Sequence, residues 1–270
     1  MSLTQRGTTF PELVEIMQRL LAPDGCPWDR EQTLQTLEPY LIEEAYEVLE
    51  AIDANDAAEH CEELGDLLFQ IVFQAELRAA EGKFGIDDVV AAIATKMKRR
   101  HPHVFGDTKV KDSDEVLANW GKLKAEEHKE KGIKRRALGG VPVNLPALLR
   151  AQRIGEKAAA VGFDWPDIAG VREKVVEELR EIDEAVASGD AAQIEHEVGD
   201  LLLAASRLSA KLGVAPEDAL RSALRRFQRR FEAMEDEVIA SGNEVAKTPL
   251  EELDRIWNKV KKAEPLLPKK

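Results

Sequence analysis

Apolar residues recur at helical intervals along most of the chain. Between Leu37 and Ile52 they fall at Leu37, Leu41, Ala45, Val48 and Ile52, in steps of 4, 4, 3 and 4, the period of one helix face. Pro39 stands near the start of this segment, where its missing N–H is harmless. Asn55 and Asp56 are both good N-caps and predict a second helix running to about Glu81, just before Gly82. The pair returns as Val171 to Val186 and, after the Ser188-Gly189-Asp190 turn, as Ala191 to Leu212. A further helix follows in each half, near Ile86–Arg100 and Pro216–Ala240. Alternation of period two persists nowhere. The expected class is all-α, two helical bundles with short connections.

The recurrence is a tandem duplication. Glu43-Glu44-Ala45-Tyr46-Glu47 returns as Glu177-Glu178-Leu179-Arg180-Glu181, and Glu63-Leu64-Gly65-Asp66 returns as Glu197-Val198-Gly199-Asp200, both at one and the same offset. Lys96-Met97-Lys98-Arg99-Arg100 is echoed by Arg226-Phe227-Gln228-Arg229-Arg230, Trp120 and Lys124 by Trp257 and Lys261, and Trp28 loosely by Trp165. The halves meet near Gly139-Gly140-Val141-Pro142, so the expected domains are 1–135, ending in a charged linker, and 136–270. Within the polar linker, His101 to Val141, Asp114 to Lys131 suits one charged helix and Lys131 to Arg136 is a basic run. It reads as a solvated connector.

Composition narrows the possibilities. At 270 residues, 44% hydrophobic and only 5% aromatic, the chain fills its cores with aliphatic residues and is too apolar to be disordered. With 33% charged residues and no apolar run near the ~18–20 a membrane helix needs, it is expected to stay off membranes. The opening MSLTQRGTTF has no basic-then-apolar pattern of a signal peptide. A net charge of −13 makes it a poor general binder of nucleic acid. Two cysteines, Cys26 and Cys61, without metal-ligand spacing, point to a reducing cytoplasm.

The acids also carry candidate chemistry. Glu44 lies three residues after Leu41 and four before Val48, on the apolar stripe, and Glu178 stands likewise between Val175 and Ile182. A carboxylate pointing into a bundle is costly unless it is paired or bound to a metal. Glu47 follows Glu44 by one turn, and Glu63 and Asp66 repeat that spacing on the next helix. Antiparallel packing would gather all four, and Glu178, Glu181, Glu197 and Asp200 in the second half. Four anions in one cleft take up protons unless a cation neutralises them. Oxygen-only ligands favour magnesium, with manganese as a substitute. Gly65 and Gly199, inside the second helix of each pair, imply close approach by a helix or ligand. If Lys96, Arg99 and Arg100, or Arg226, Arg229 and Arg230, face that cleft, metal and guanidinium forks together suit a polyphosphate. Trp120 and Trp257 suit either base stacking or packing. The five histidines show no metal-ligand pattern.

These segments resemble the MazG family of all-α nucleoside triphosphate pyrophosphohydrolases. GCPWDREQT at 25–33, EEAYEVLEAI at 43–52, EELGDLLFQ at 62–70 and RRHPHVFGD at 99–107 are similar to its first domain. LPALLRAQRI at 145–154, VGFDW at 161–165, EVGDLLL at 197–203 and RRFQRRF at 225–231 are similar to its second. The resemblance implies magnesium-dependent hydrolysis of ribo- or deoxynucleoside triphosphates, broad in base, to monophosphate and pyrophosphate by a homodimer. It implies metal ligation by Glu44, Glu47, Glu63 and Asp66 and by Glu178, Glu181, Glu197 and Asp200. Glu44 or Glu178 would activate water. Lys96, Arg99 and Arg100, or Arg226, Arg229 and Arg230, would hold phosphates, and Trp120 or Trp257 with Lys124 or Lys261 would lie near the nucleotide. One departure is that Leu224, and Ala94 in the first half, occupy the place where the motif commonly has Asn. The alternative is a non-enzymatic acidic helical-repeat adaptor, which leaves the apolar phase of Glu44 and Glu178 unexplained. A di-iron bundle would need Glu-x-x-His, which the chain lacks.

Overall fold

A computed structural model describes residues 9–113, 115, 116, 119–121, 123, 127 and 136–263. Its helices are α1 (Phe10–Leu21), α2 (Pro27–Glu31), α3 (Leu34–Ala54), α4 (Ala57–Ala80), α5 (Ile86–Arg100) and α6 (Pro102–Phe105) in the first half. The second half has α7 (Ala147–Ala160), α8 (Ile168–Ser188), α9 (Ala191–Lys211), α10 (Pro216–Ala240), a 3-10 turn (Val245–Lys247) and α11 (Leu250–Ala263). No strand occurs among the described residues, so the chain is all-α. None of these helices is long and apolar enough to cross a membrane. By internal contacts the chain divides into two compact units, Met1–Glu127 and His128–Lys270. Lys124 and most of the segment expected to form a charged helix, 114–131, lie outside the described residues, as does the basic run up to residue 135.

Each unit is organised by a helix hairpin, α3 on α4 and α8 on α9. The caps that define the hairpins obey the repeat. Thr33 caps α3 by accepting from the Thr36 N–H, and at the equivalent place in the second half Asp167 caps α8 by accepting from Ala169 and Gly170. At the turns, Asn55 (φ 55°) and Gly189 (φ 74°) take the left-handed conformation that closes a helix. Asp56 and Asp190 then cap α4 and α9. Asn55 therefore ends the first helix, and Asp56 alone starts the second.

Two expectations need correction. The helix around Leu37 begins earlier, at Leu34, because Thr33 and Thr36 form a capping box. Pro39 is thus beyond the first turn, and its ring nitrogen leaves the Gln35 carbonyl without a helical donor. Gln35 is exposed, so solvent can satisfy that carbonyl. Secondly, Gly65 and Gly199 do not mark a close helix approach, since a Cβ at either would meet nothing within 4 Å.

The first unit's core is Met17, Leu37, Val72, Phe73, Ala75 and Ile86, with Phe69 and Leu21 packed against it. In the second unit Met234, Val238 and Ile256 form a cluster between α10 and α11, flanked by Leu253, Trp257 and Val260. Val171 and Ala185 on α8 are fully buried. Phe73→Ala removes the largest wholly buried side chain among the described residues. It is expected to cost the first unit about 3–5 kcal/mol, read as a lower urea midpoint for that unit.

Candidate metal and nucleotide site

The hairpins bring the acids together. In the first half Glu44 on α3 and Glu63 and Asp66 on α4 offer oxygens that all lie within 4.8 Å of one another. In the second half Glu178 on α8 and Glu197 and Asp200 on α9 do the same. Glu47 and Glu181 flank these groups. Glu47 acts on Glu44 as a neighbouring like charge, and Glu178 and Glu197 act electrostatically on Glu181.

The two clusters manage their charge differently. Glu44 is pushed above the ordinary carboxyl range by burial, then by the like charges of Asp66 and Glu47. Burial and Glu47 act the same way on Glu63. In the second half Glu178 is only 2% exposed. Its Oε1 accepts from Lys174 Nζ at 2.8 Å, while Lys174 also reaches Glu177 at 3.2 Å. These bonds, the one to Glu178 foremost, push the Lys174 ammonium above its usual range. Glu178 Oε2 is buried and has no hydrogen-bond partner. An orphaned carboxylate oxygen beside two more carboxylates fits a hard divalent cation.

A cavity of about 280 Å³ opens beside this second cluster. Lys174, Glu178 and Asp200 lie on its wall, and Ile154, Ala158, Phe163, Trp165, Leu203, Ala204 and Arg207 supply a largely apolar and aromatic remainder. The loop carrying Phe163 and Trp165 is tied to α9 through Asp164. Its carboxylate pairs with Arg207 and with Lys211 at 2.7 Å, and Lys211 also donates to the Trp165 carbonyl at 2.7 Å. The lysine hydrogen bond, then the Arg207 charge, hold Asp164 below the usual carboxylate range. Two glycines make room. A Cβ on Gly155 would collide with the Arg207 guanidinium, and one on Gly170 would stand 2.6 Å from Trp165 Cδ1.

The first half puts core where the second has cavity wall. At the equivalent positions of the repeat, Leu203, Ala204 and Arg207 are replaced by Phe69, Gln70 and Phe73. Phe69 and Phe73 meet edge to face at 6.0 Å, Phe73 is 1% exposed, and Gln70 is buried. Phe163, Trp165, Lys174 and Arg207 are site residues that sequence reasoning missed. VGFDW and the two glycines are their visible signal.

The basic residues and tryptophans lie elsewhere. Arg99 and Arg100 both pair with Glu127. Arg99 reaches it at 2.7 Å, and Arg100 donates through Nε and Nη2 at 3.1 and 2.7 Å. Lys96 is exposed on the same helix. Arg226 donates to Ser222 Oγ at 3.1 Å, while Arg229 is exposed and Arg230 half-buried on α10. Trp257 packs on Phe227 at 5.2 Å, and Trp120 leans on His101 at 5.8 Å, so both are packing residues here. Lys261 is exposed on α11. None of these lines the cavity beside Glu178.

A duplicated oxygen-ligand cluster on helix hairpins, in an all-α chain, defines a narrow class of protein. The model of the MazG nucleotide pyrophosphohydrolase domain matches the chain twice, over residues 32–105 and 169–234. A nucleoside triphosphate pyrophosphohydrolase of Escherichia coli (strain K12) is 47% identical over 255 residues, covering 93% of this chain and 97% of that protein. The nucleoside triphosphate pyrophosphohydrolase/pyrophosphatase MazG of Thermotoga maritima is 45% identical over 259 residues, covering 96% and 98%. A crystal structure of a mazG-related protein from Thermotoga maritima is 29% identical with a TM-score of 0.38, covering 43% of this chain and 98% of that one. The chain belongs to the MazG family and carries its nucleotide pyrophosphohydrolase domain twice. That membership favours an enzyme over a helical adaptor.

The Glu127 pairing gives a pH prediction. Its carboxyl is held at about 2, first by the Arg100 hydrogen bond, against 4.5 ordinarily. A depressed carboxyl stabilises the fold above its unfolded pKa, and that contribution fades as pH falls through the folded value. Glu127→Gln is therefore expected to be less stable than the unmodified chain at neutral pH. The difference in urea midpoint should shrink below pH about 4.5 and vanish only below pH about 2.

Proposed function

We propose that the chain hydrolyses nucleoside triphosphates, ribo or deoxy, to the monophosphate and pyrophosphate, and that its second half does the work. The observation that carries this is the apolar, aromatic cavity opening directly onto Glu178 and Asp200. A base is a flat apolar body with polar edges, and a triphosphate is a dense anion. The cavity suits the first, and the acid cluster suits the second only with a cation between them. Magnesium, or manganese in its place, held by Glu178, Glu197 and Asp200 with Glu181 beside them, would supply that neutralisation and polarise the phosphate oxygens.

The chain's own groups do the rest. Phe163 and Trp165 offer ring faces to the base, with Trp165 held by Asp164 and Lys211. This reading moves the base contact from Trp257, which is committed to the α10–α11 core. Glu178 orients a water aimed at the α-phosphorus, and the proton that this water loses passes to a carboxylate oxygen of the cluster that the ion leaves free. The bond to the bridging oxygen breaks as the new one forms, and pyrophosphate leaves with the electron pair. Exposed Val176, Leu179, Val198 and Leu202 on α8 and α9 support association of two copies into a homodimer. The Glu44, Glu47, Glu63 and Asp66 cluster binds the same ion, and Phe69 and Phe73 stand in the first core at the positions where the second half has the cavity-lining Leu203 and Arg207.

Turnover with mixed nucleoside triphosphates and magnesium, resolving every phosphate product, tests this. Monophosphate and pyrophosphate are expected, with kcat/KM lowered about 10²–10⁴-fold in Glu178→Ala and far less changed in Glu44→Ala. Diphosphate and phosphate as products, or loss on Glu44→Ala with Glu178→Ala spared, would sink the reading. A second expectation concerns the cavity. Leu203→Phe with Ala204→Gln imports the first half's side chains and should raise KM more than it lowers kcat, seen in steady-state kinetics.

A further inference from the structure

The two acid clusters differ in one respect that their shared ancestry does not explain. Lys174 sits on Glu178, its Nζ 2.8 Å from Oε1, and lines the cavity with Glu178 and Asp200. The equivalent position in the first half is Tyr40, whose ring leans on Trp28 at 5.9 Å. The charges acting on Glu44 are those of Asp66, Glu47 and Glu43, all carboxylates. The second cluster thus contains a cation of its own, whereas the position that would supply one to the first holds a phenol.

An ammonium that close to a ligand oxygen repels an incoming divalent ion and competes with it for the carboxylate. The orphaned Oε2 marks the side from which an ion approaches, because it is buried and is not the oxygen that the lysine holds. Lys174 is about a third exposed and stands on a four-carbon stem with rotatable donors, so it is free to swing where Glu178 is not. The wall it shares with the cavity is where a triphosphate would lie.

We propose that Lys174 is an exchangeable counter-ion, which neutralises Glu178 in the free protein and passes to a substrate phosphate when a divalent cation takes Glu178. This rests on the second half being the nucleotide site. It makes metal and nucleotide binding mutually dependent in that half, because the ion gains its full ligand only when the lysine has a phosphate to go to. The first cluster, with Tyr40 in place of the lysine, takes its ion without waiting for substrate.

The test uses the full chain with Glu44→Gln and Asp66→Asn, so that only the second cluster counts. Calorimetry measures manganese alone, then inorganic tripolyphosphate at saturating manganese, for this parent and for Lys174→Met, Lys174→Gln and Glu178→Gln. Either lysine variant is expected to bind manganese roughly ten-fold more tightly and tripolyphosphate roughly ten-fold more weakly than the parent, the scale of one charge-assisted contact. Lys174→Gln keeps a donor for Glu178 and covers the case in which Lys174→Met does not fold. Unchanged or weaker manganese binding in a folded lysine variant, or unchanged tripolyphosphate binding, overturns the proposal. If Glu178→Gln binds manganese as well as the parent, the metal is not held at Glu178, and the functional reading itself falls with it.

Discussion

Glu178 holds a carboxylate where water scarcely reaches, on the helix α8 that packs against α9. An isolated charge in that position would cost several kcal/mol, so the carboxylate needs positive charge supplied to it. Lys174 covers one oxygen from one turn back. The other is buried without a hydrogen-bond partner, and the negative charge of Glu197 and Asp200 close by makes the place hostile to anything but a cation. The requirement for an ion comes from this electrostatic constraint, and the requirement for two hairpin helices comes from having to deliver acids from two directions to one point.

The duplication turns the protein into its own comparison. The caps at Thr33 and Asp167, the turns at Asn55 and Gly189 and the three-acid groups all keep the register of the repeat, so both halves build the same hairpin. The differences that bear on the site include those facing the cavity. Replacing Phe69, Gln70 and Phe73 by Leu203, Ala204 and Arg207 exchanges two rings and an amide for smaller or movable groups. The first half gains a tighter core and the second gains a space that a ligand can fill. One fold has been kept for its stability in one copy and opened in the other.

Basic residues are less legible in the sequence than acids. The spacing of Lys96, Arg99 and Arg100 puts them on one side of α5, but a guanidinium reaches far and takes whichever anion is nearest. For Arg99 and Arg100 that anion is Glu127, well downstream and without any motif to announce it. Trp257 likewise suits stacking and packing equally by its position in the chain. Phe227, one turn along α10 from the candidate phosphate ligand Arg230, decides for packing. Pro39 and the two mid-helix glycines show the same limit locally, since a cap one turn upstream or an empty neighbourhood changes what a residue means.

The sequence by itself determined the helices, their duplication and the six carboxylates that meet in two groups. Each of these rests on short-range periodicity, and a helix face or an i, i+3 pair is fixed by the geometry of one turn. The family could be read for the same reason, from motifs that stay contiguous. Only the tertiary structure decided that a cavity adjoins the second group, that Lys174 lies on Glu178, and that Glu127 holds the arginines. Those outcomes depend on which side chains from separate segments share a volume, and no periodicity along the chain records how space is filled between helices.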